Sequence, residues 1–164
     1  MELNKFSLFT GLSSVQITKF EKAITRKKFL KNDEIIKEGD SGDSLIFLLD
    51  GEVKISKPLT LVTNTNDFDD REKELITLNS SFYPFFGDYS LFTENNQRTA
   101  NIVASSNGEI GILMAKDFFQ ICESDYQLGY LVIKNITRNI TSHVVKQGDD
   151  ILKLTTAISL ILEN

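Results

Sequence analysis

The segment from Phe86 to Ala104 reads FGDYSLFTENNQRTANIVA and carries the strongest signal in the sequence. Gly87 lets the backbone turn sharply or approach a ligand closely, because glycine has no Cβ. A short helix predicted to begin near Ser90 would direct free N–H groups outward, and such groups favour an anion. Arg98 opens the next predicted strand, where a planar guanidinium can hold a phosphate through two parallel hydrogen bonds. The stretch therefore has the parts of a phosphate-ester site.

Three neighbours complete this interpretation. Ala100 leaves room beside Arg98, the Thr99 hydroxyl adds a donor or acceptor, and the Asp88 carboxylate can accept a hydrogen bond from a sugar hydroxyl. Each residue taken alone also has a structural explanation, with Gly87 as a turn, Asp88 as a helix cap and Arg98 as a surface strand residue. Their occurrence together in one segment favours ligand binding.

Around this stretch, the chain between Lys27 and Met114 alternates short apolar runs with clusters of Gly, Asp, Asn and Ser, which is typical of an all-β sandwich or barrel. Turns are indicated at 39–42 and at 50–51. The polar, acidic segment 64–72 is predicted to be an exposed hairpin loop, and it lacks the spacing of a calcium-binding loop. The predicted strands are Lys28–Leu30, Glu34–Lys37, Ser44–Leu49, Glu52–Ser56, Glu74–Asn79, Thr99–Ala104 and Glu109–Met114.

Helices are predicted on both sides of the strands. An amphipathic helix starts near Val15, with Ser13 or Ser14 as its N-cap. A short helix at Asp117–Cys122 precedes a long one from about Tyr126 to Gln147. Gly148 is expected to break or kink the long helix, with Asp149 or Asp150 capping a final segment. The apolar stripe of the long helix comprises Ile133, Ile136, Ile140 and Val144, and it resumes with Ile151, Leu154, Ile158 and Ile161.

Composition limits the function classes. The chain has 164 residues and a formal charge of −5, which suits one globular domain and argues against non-specific binding to nucleic acid or to an anionic membrane. One cysteine and one histidine exclude a disulfide framework and any metal site that needs two histidines. A nucleophilic pair of Cys122 and His143 is the one catalytic alternative, and structural roles are favoured for both residues. We therefore expect no enzyme, no metal and no membrane insertion, in a chain whose start lacks a signal peptide and which is expected in the cytoplasm.

The segment at 86–104 resembles the phosphate-binding cassette of cyclic-nucleotide-binding domains. That family shows an apolar residue, Gly-Glu-x-small-Leu, a short gap and then Arg-(Ser/Thr)-Ala-x-apolar-x-Ala. A second family motif is present as IIKEGDSGDSLIFLLDG at residues 35–51. The two motifs occur in the right order, and the similarity extends to a long C-terminal helix like that of the catabolite activator proteins.

The resemblance implies an α+β fold: a β-roll, which is a double-stranded β-helix of jelly-roll type, flanked by an N-terminal helix and a long C-terminal helix. We expect a single cyclic-nucleotide-binding domain over residues 1–164. Its expected parts are an N-terminal helical part at 1–26, a roll at 27–114 that contains the cassette at 86–104, and C-terminal helices at 115–164.

The resemblance also implies a ligand, cyclic AMP or cyclic GMP, and no other cofactor. Arg98 would pair with the cyclic phosphate, while backbone N–H groups around Ser90 and Leu91 and the Thr99 hydroxyl complete that pocket. Asp88 stands where the family has the Glu that binds the ribose 2′-hydroxyl, and it reaches roughly 1.5 Å less. Thr99 leaves both nucleotides open, because a hydroxyl at this position can also bond guanine. The candidate ligand-binding residues are Phe86, Gly87, Asp88, Ser90, Leu91, Arg98, Thr99 and Ala100, with Asn139, Ser142 and His143 as a lid over the base.

The expected function is a regulatory sensor that transmits nucleotide binding through its C-terminal helix to a protein effector. The alternative is a degenerate cyclic-nucleotide fold that binds no nucleotide and serves as a scaffold or oligomerisation module. A DNA-binding regulator would need a helix-turn-helix after the long helix, and the final residues 155–164 are apolar and not basic. Homodimerisation through the long helix is expected, against the alternative that its stripe packs wholly on the roll of the same chain.

Overall fold

The computed structural model describes residues 1–58 and 72–162, and side chains over 1–56 and 76–162. Two short 3₁₀ turns, Leu3–Lys5 and Ser7–Phe9, lead into helix α1 (Ser14–Ala23). Ser13 is the N-cap: its hydroxyl accepts the Gln16 N–H at 3.3 Å, and the Gln16 side chain accepts the Ser13 N–H at 3.0 Å. This reciprocal capping box fixes where α1 begins.

Within the described ranges, eight strands form the β part of the fold. They make two four-stranded antiparallel sheets, with the orders β1-β8-β3-β6 and β2-β7-β4-β5. The strands are β1 (Thr25–Phe29), β2 (Glu34–Ile36), β3 (Ser44–Asp50), β4 (Glu52–Pro58), β5 (Glu72–Asn79), β6 (Phe85–Phe86), β7 (Asn101–Ala104) and β8 (Gly108–Met114).

The predicted strands are all present, with shifted ends. β1 begins at Thr25, before the predicted Lys28. The prediction missed this start because Thr25 and Arg26 are exposed and carry no apolar signal. Strand β6 was not predicted, since it has only two residues. Most of the predicted loop at 64–72 lies outside the described residues. The expected turn glycines at 39 and 51 have φ of +86° and +91°, as a left-handed turn position requires.

Three further helices follow. Helix α2 (Asp88–Phe92) lies between β6 and β7, helix α3 (Ala115–Ser124) follows β8, and helix α4 (Tyr126–Leu162) ends the described chain. The expected break at Gly148 is wrong, because α4 continues through it and Asp149 and Asp150 are helix interior residues rather than caps. A single glycine costs a helix only about 1 kcal/mol. Within the ranges described, no helix has the length and apolar character needed to cross a bilayer.

Two apolar clusters hold these elements together. One lies inside the roll and includes Val53, Ile102 and Ile110. The other joins the helices to the first sheet, and Phe47 is at its centre, with ring centroids 5.3 Å from Phe6 and 5.6 Å from Phe9. Leu128, Val132 and Ile136 of α4 belong to this second cluster. The N-terminal half of α4 is therefore anchored to the body of the protein, close to α2.

Candidate functional site

Arg98 joins the two sequence motifs. Its backbone N–H donates to the Asp40 carbonyl at 2.9 Å, and its carbonyl accepts the Gly39 N–H at 2.9 Å. The residue is only 8% exposed. The turn at 39–42 therefore fixes the backbone of the arginine that was predicted to bind phosphate.

The Arg98 guanidinium connects strand β3 to helix α2. Nη1 donates to the Ser44 carbonyl at 3.0 Å and to Ser90 Oγ at 3.3 Å, while Nη2 donates to Ser44 Oγ at 2.9 Å. Ser90 Oγ in turn donates to the Gly87 carbonyl at 2.9 Å. A guanidinium has five N–H donors, so these contacts leave donors for a further acceptor.

Burial acts on the charge of this group. Desolvation lowers the pKa of Arg98, and the nearby negative charges of Asp43 and Asp40 oppose that shift. An arginine nevertheless stays protonated in proteins. The site thus presents a permanent, largely buried positive charge.

Gly87 makes room for this guanidinium. It is the N-cap of α2 with φ of +94°. A Cβ at this position would lie 2.5 Å from the Ser44 carbonyl oxygen and would also overlap Nη1 of Arg98. The close approach at Gly87 is thus made by Arg98 and strand β3 of the same chain, and the expected approach to a ligand stays a prediction.

Helix α2 begins at Asp88, two residues before the predicted Ser90. Because of this shift, the Leu91 N–H donates to the Gly87 carbonyl at 3.3 Å inside the helix, so it is not the free N–H group that was expected to bind the phosphate. Phe86 and Leu91 are buried in the two apolar clusters. Thr99 is exposed and Ala100 is half-buried, both directly after Arg98.

The Asp88 side chain faces helix α4. It is 5% exposed, its Oδ1 accepts the Tyr89 N–H at 3.2 Å, and its Oδ2 accepts Asn139 Nδ2 at 2.9 Å. One helical turn further, Tyr89 Oη lies 3.3 Å from His143 Nδ1, with the two rings stacked. Burial, and then the Asp88 charge, raise the pKa of Tyr89.

Of the three lid candidates on α4, the structure thus brings Asn139 and His143 to the cassette. Ser142 is exposed, and its hydroxyl donates to the Asn139 carbonyl of its own helix at 2.7 Å. The difference follows from helical geometry: Asn139 and His143 are four residues apart and share a face, whereas Ser142 is adjacent to His143 and points about 100° away from it.

Two residues of this arrangement were missed from the sequence. Ser44 begins the apolar run of β3, and its place in the second motif was the available signal. Tyr89 follows Asp88 directly, but nothing in the sequence pairs it with His143.

The catalytic alternative finds no support in the described residues. Cys122 lies buried in the helix cluster, and burial raises the pKa of its thiol to about 11, so the reactive thiolate is scarce at neutral pH. His143 is exposed on α4 and faces Tyr89. Over 1–58 and 72–162, no three metal-ligating side chains come together.

Two depressions border the cassette. A cleft of about 280 Å³ opens beside Arg98 and is lined by Asp40, Asp43, Ser44 and residues of β2. An apolar groove of about 240 Å³ runs between α2 and α4. Its lining residues are Phe92, Ile133, Ile136, Thr137, Ile140 and Thr141.

Comparison with known proteins agrees with this geometry. The model of a family described as cyclic nucleotide-binding domain matches residues 26–125. The cGMP-dependent protein kinase 2 of Homo sapiens is 26% identical over 164 residues, which cover 96% of this chain and 20% of the kinase. The chain thus spans about one fifth of that relative's length.

Solved structures share the fold. A cyclic nucleotide-binding domain from Methylobacillus flagellatus has a TM-score of 0.74 at 21% identity, covering 92% of this chain and 78% of that one. The catabolite activator protein of Thermus thermophilus has a TM-score of 0.72 at 21% identity, covering 92% and 63%. The expected β-roll with flanking helices is therefore confirmed.

Proposed function

This chain belongs to the cyclic nucleotide-binding domain family. We propose that it binds cyclic AMP or cyclic GMP against Arg98 and signals through α4. The observation that carries the proposal is the environment of Arg98, which is buried and hydrogen-bonded to neutral groups. Within the described part of the chain, its guanidinium bonds only uncharged oxygens of Ser44 and Ser90. The carboxylates of Asp40 and Asp43 lie near enough to raise its pKa, but neither forms a salt bridge with it among the described residues. A buried cation without a salt bridge is well suited to a phosphate ester of charge −1, because burying an unpaired charge is costly.

The contacts of Asp88 and Tyr89 with Asn139 and His143 support a signalling role for α4. They connect the cassette physically to the long helix. A nucleotide that interacts differently with two positions of α4 shifts the population between them. The binding event is then available to a partner as a change in the helix.

We further propose that α4 forms a homodimer with a second copy. Of the predicted stripe, Ile136 is buried against the body of the protein, while Val144 and the residues beyond it are exposed. Positions spaced by three and four along α4 form a heptad pattern typical of a coiled coil. They are Ile133, Thr137, Ile140, Val144, Gln147, Ile151, Leu154, Ile158 and Ile161.

The change in α4 on nucleotide binding is then transmitted to this second copy or to a protein effector. We place the protein in the cytoplasm, in keeping with a lone buried cysteine and no disulfide among the described residues. Regulation rather than catalysis is its proposed role.

The scaffold alternative keeps one supporting observation, which is that the buried Asp88 carboxylate already accepts two hydrogen bonds within the protein. A thermal-shift screen against cyclic AMP, cyclic GMP and a cyclic dinucleotide separates the two functions. A sensor gains stability in proportion to the logarithm of ligand concentration once the site is saturated. An unchanged melting temperature with all three at millimolar concentration would support the scaffold instead.

A further inference from the structure

We propose that Asn139 is a positioning residue for the Asp88 carboxylate, so that an amide on α4 takes part in reading the ribose 2′-hydroxyl. This inference rests on the proposed function. It assigns Asn139 to the sugar rather than to the base, which was its expected partner.

The contact that carries the proposal joins two distant parts of the chain. Asn139 Nδ2 donates to Asp88 Oδ2 at 2.9 Å, across 51 residues. The other carboxylate oxygen accepts the Tyr89 N–H at 3.2 Å. With one bond to each oxygen, both the position and the rotation of the carboxylate are set, as a second layer of hydrogen bonds sets a ligating group elsewhere.

The carboxylate keeps capacity for a ligand. Each oxygen of an ionised carboxyl group has about two acceptor sites, and each oxygen of Asp88 uses one of them. A hydroxyl that donates to this anion makes a charge-assisted hydrogen bond. A neutral amide holds the carboxylate in place and leaves its negative charge intact, whereas a lysine or arginine would neutralise that charge.

Asn139 is itself held in place from both sides. One turn earlier on α4, the buried Asn135 donates through Nδ2 to the Leu8 carbonyl at 2.9 Å and to the Thr10 carbonyl at 2.8 Å. One turn later, His143 contacts Tyr89. Three residues spaced by four thus fix the register of α4 against the body of the protein, and the Asn139 amide is the one that meets Asp88.

Because the Asp88 side chain is short, its carboxylate depends on the hydrogen bond from Asn139 for its position. A carboxylate that reaches roughly 1.5 Å less than a glutamate cannot follow a displaced sugar, so its position must be set by its neighbours. The ribose contact is therefore expected to depend on α4.

The experiment compares each cyclic nucleotide with its 2′-deoxy analogue by calorimetry, on wild type and on Asn139→Ala. Wild type should bind the ribonucleotide about 10-fold or more tightly than the deoxy form, as for a hydrogen bond to a charged group. Asn139→Ala should lose most of this ratio by weakening the ribonucleotide while leaving the deoxy analogue within about two-fold. Alanine suits a helix, so α4 should persist in the variant.

Asn139→Asp, which brings a second carboxylate against Asp88, should also lower the ratio. Arg138→Ala is the matched control: Arg138 is the exposed neighbour on α4, and the ratio should not change. Equal loss for both forms in Asn139→Ala would overturn the inference, because it would indicate a structural or base-contacting role. A wild type that binds both forms equally would also overturn it and leave the proposed function standing, whereas failure to bind either form would refute both.

Discussion

The position of the Arg98 guanidinium depends on a single residue, Gly87. The missing Cβ of Gly87 leaves the space in which the guanidinium lies against the Ser44 carbonyl. The left-handed φ of +94° turns the chain from β6 into α2 at the same point. One glycine therefore serves both the backbone path and the placement of the charge.

Gly87→Ala should destabilise the protein by about 1–3 kcal/mol, because it adds backbone strain and a clash with Ser44. It should also weaken cyclic-nucleotide binding, since Arg98 must move. Urea denaturation and calorimetry measure the two effects. Gly11→Ala is the control: its φ is +85°, and an added Cβ would have nothing within 4 Å. Equal effects of the two substitutions on binding would contradict the role of Gly87.

Site residues can be predicted from the sequence when they lie within one short segment, and they are missed when their partners are distant in the sequence. Gly87 and Arg98 could be identified from the sequence because both lie within one motif, although β7 begins only at Asn101, and their binding of a ligand stays a prediction. Ser44 was missed, since its partner is 54 residues away and a serine at the head of an apolar run has no pattern of its own. The position of Ser142 on α4 shows that counting along a chain fixes a helix face only to within a residue.

At the scale of elements, α4 is the helix whose course differs most from expectation. Gly148 followed by two aspartates is a typical end-and-cap pattern, yet the helix runs on to Leu162. Asp150 instead forms an ion pair with Lys153 at 3.3 Å along the helix surface. Local end signals are weak when the residues on both sides continue the same helical stripe.

Gly148→Ala tests this continuity. In an uninterrupted exposed helix, alanine should stabilise the surrounding turns by about 0.5–1 kcal/mol. Amides near residue 148 should then exchange hydrogen several-fold more slowly than in wild type. Faster exchange would mean that Gly148 adopts a conformation that alanine cannot, and that the helix breaks there.

Across the whole molecule, two sheets and the helices around Phe47 form one body, and the C-terminal half of α4 extends beyond it. The sheet orders could not be predicted, because β1 pairs with the distant β8, from Thr25 with Ile112 to Phe29 with Gly108, and strand patterns do not identify partners. The roll itself was predictable from its two motifs. Residues 141–162 are exposed all along, including the apolar positions of the heptad pattern.

Ile151→Asp should therefore convert a dimer into a monomer, because it places a charge in the apolar seam. Light scattering at tens of micromolar should give twice 18.5 kDa for wild type and 18.5 kDa for the variant. Thr156→Asp adds the same charge on the opposite face of α4 and should remain dimeric. A wild type that is already monomeric would contradict the proposed dimer.

Calorimetric titration of wild type and Arg98→Ala with cyclic AMP and cyclic GMP tests whether Arg98 binds the phosphate of a cyclic nucleotide. Wild type should bind one nucleotide per chain. Arg98→Ala should lose about 2–5 kcal/mol of binding free energy, as when one partner of a buried charge pair is removed. Arg98→Lys, which keeps the charge but not the planar fork, should fall between them. Equal affinity of wild type and Arg98→Ala, or no binding by wild type, would show that Arg98 does not bind a cyclic phosphate.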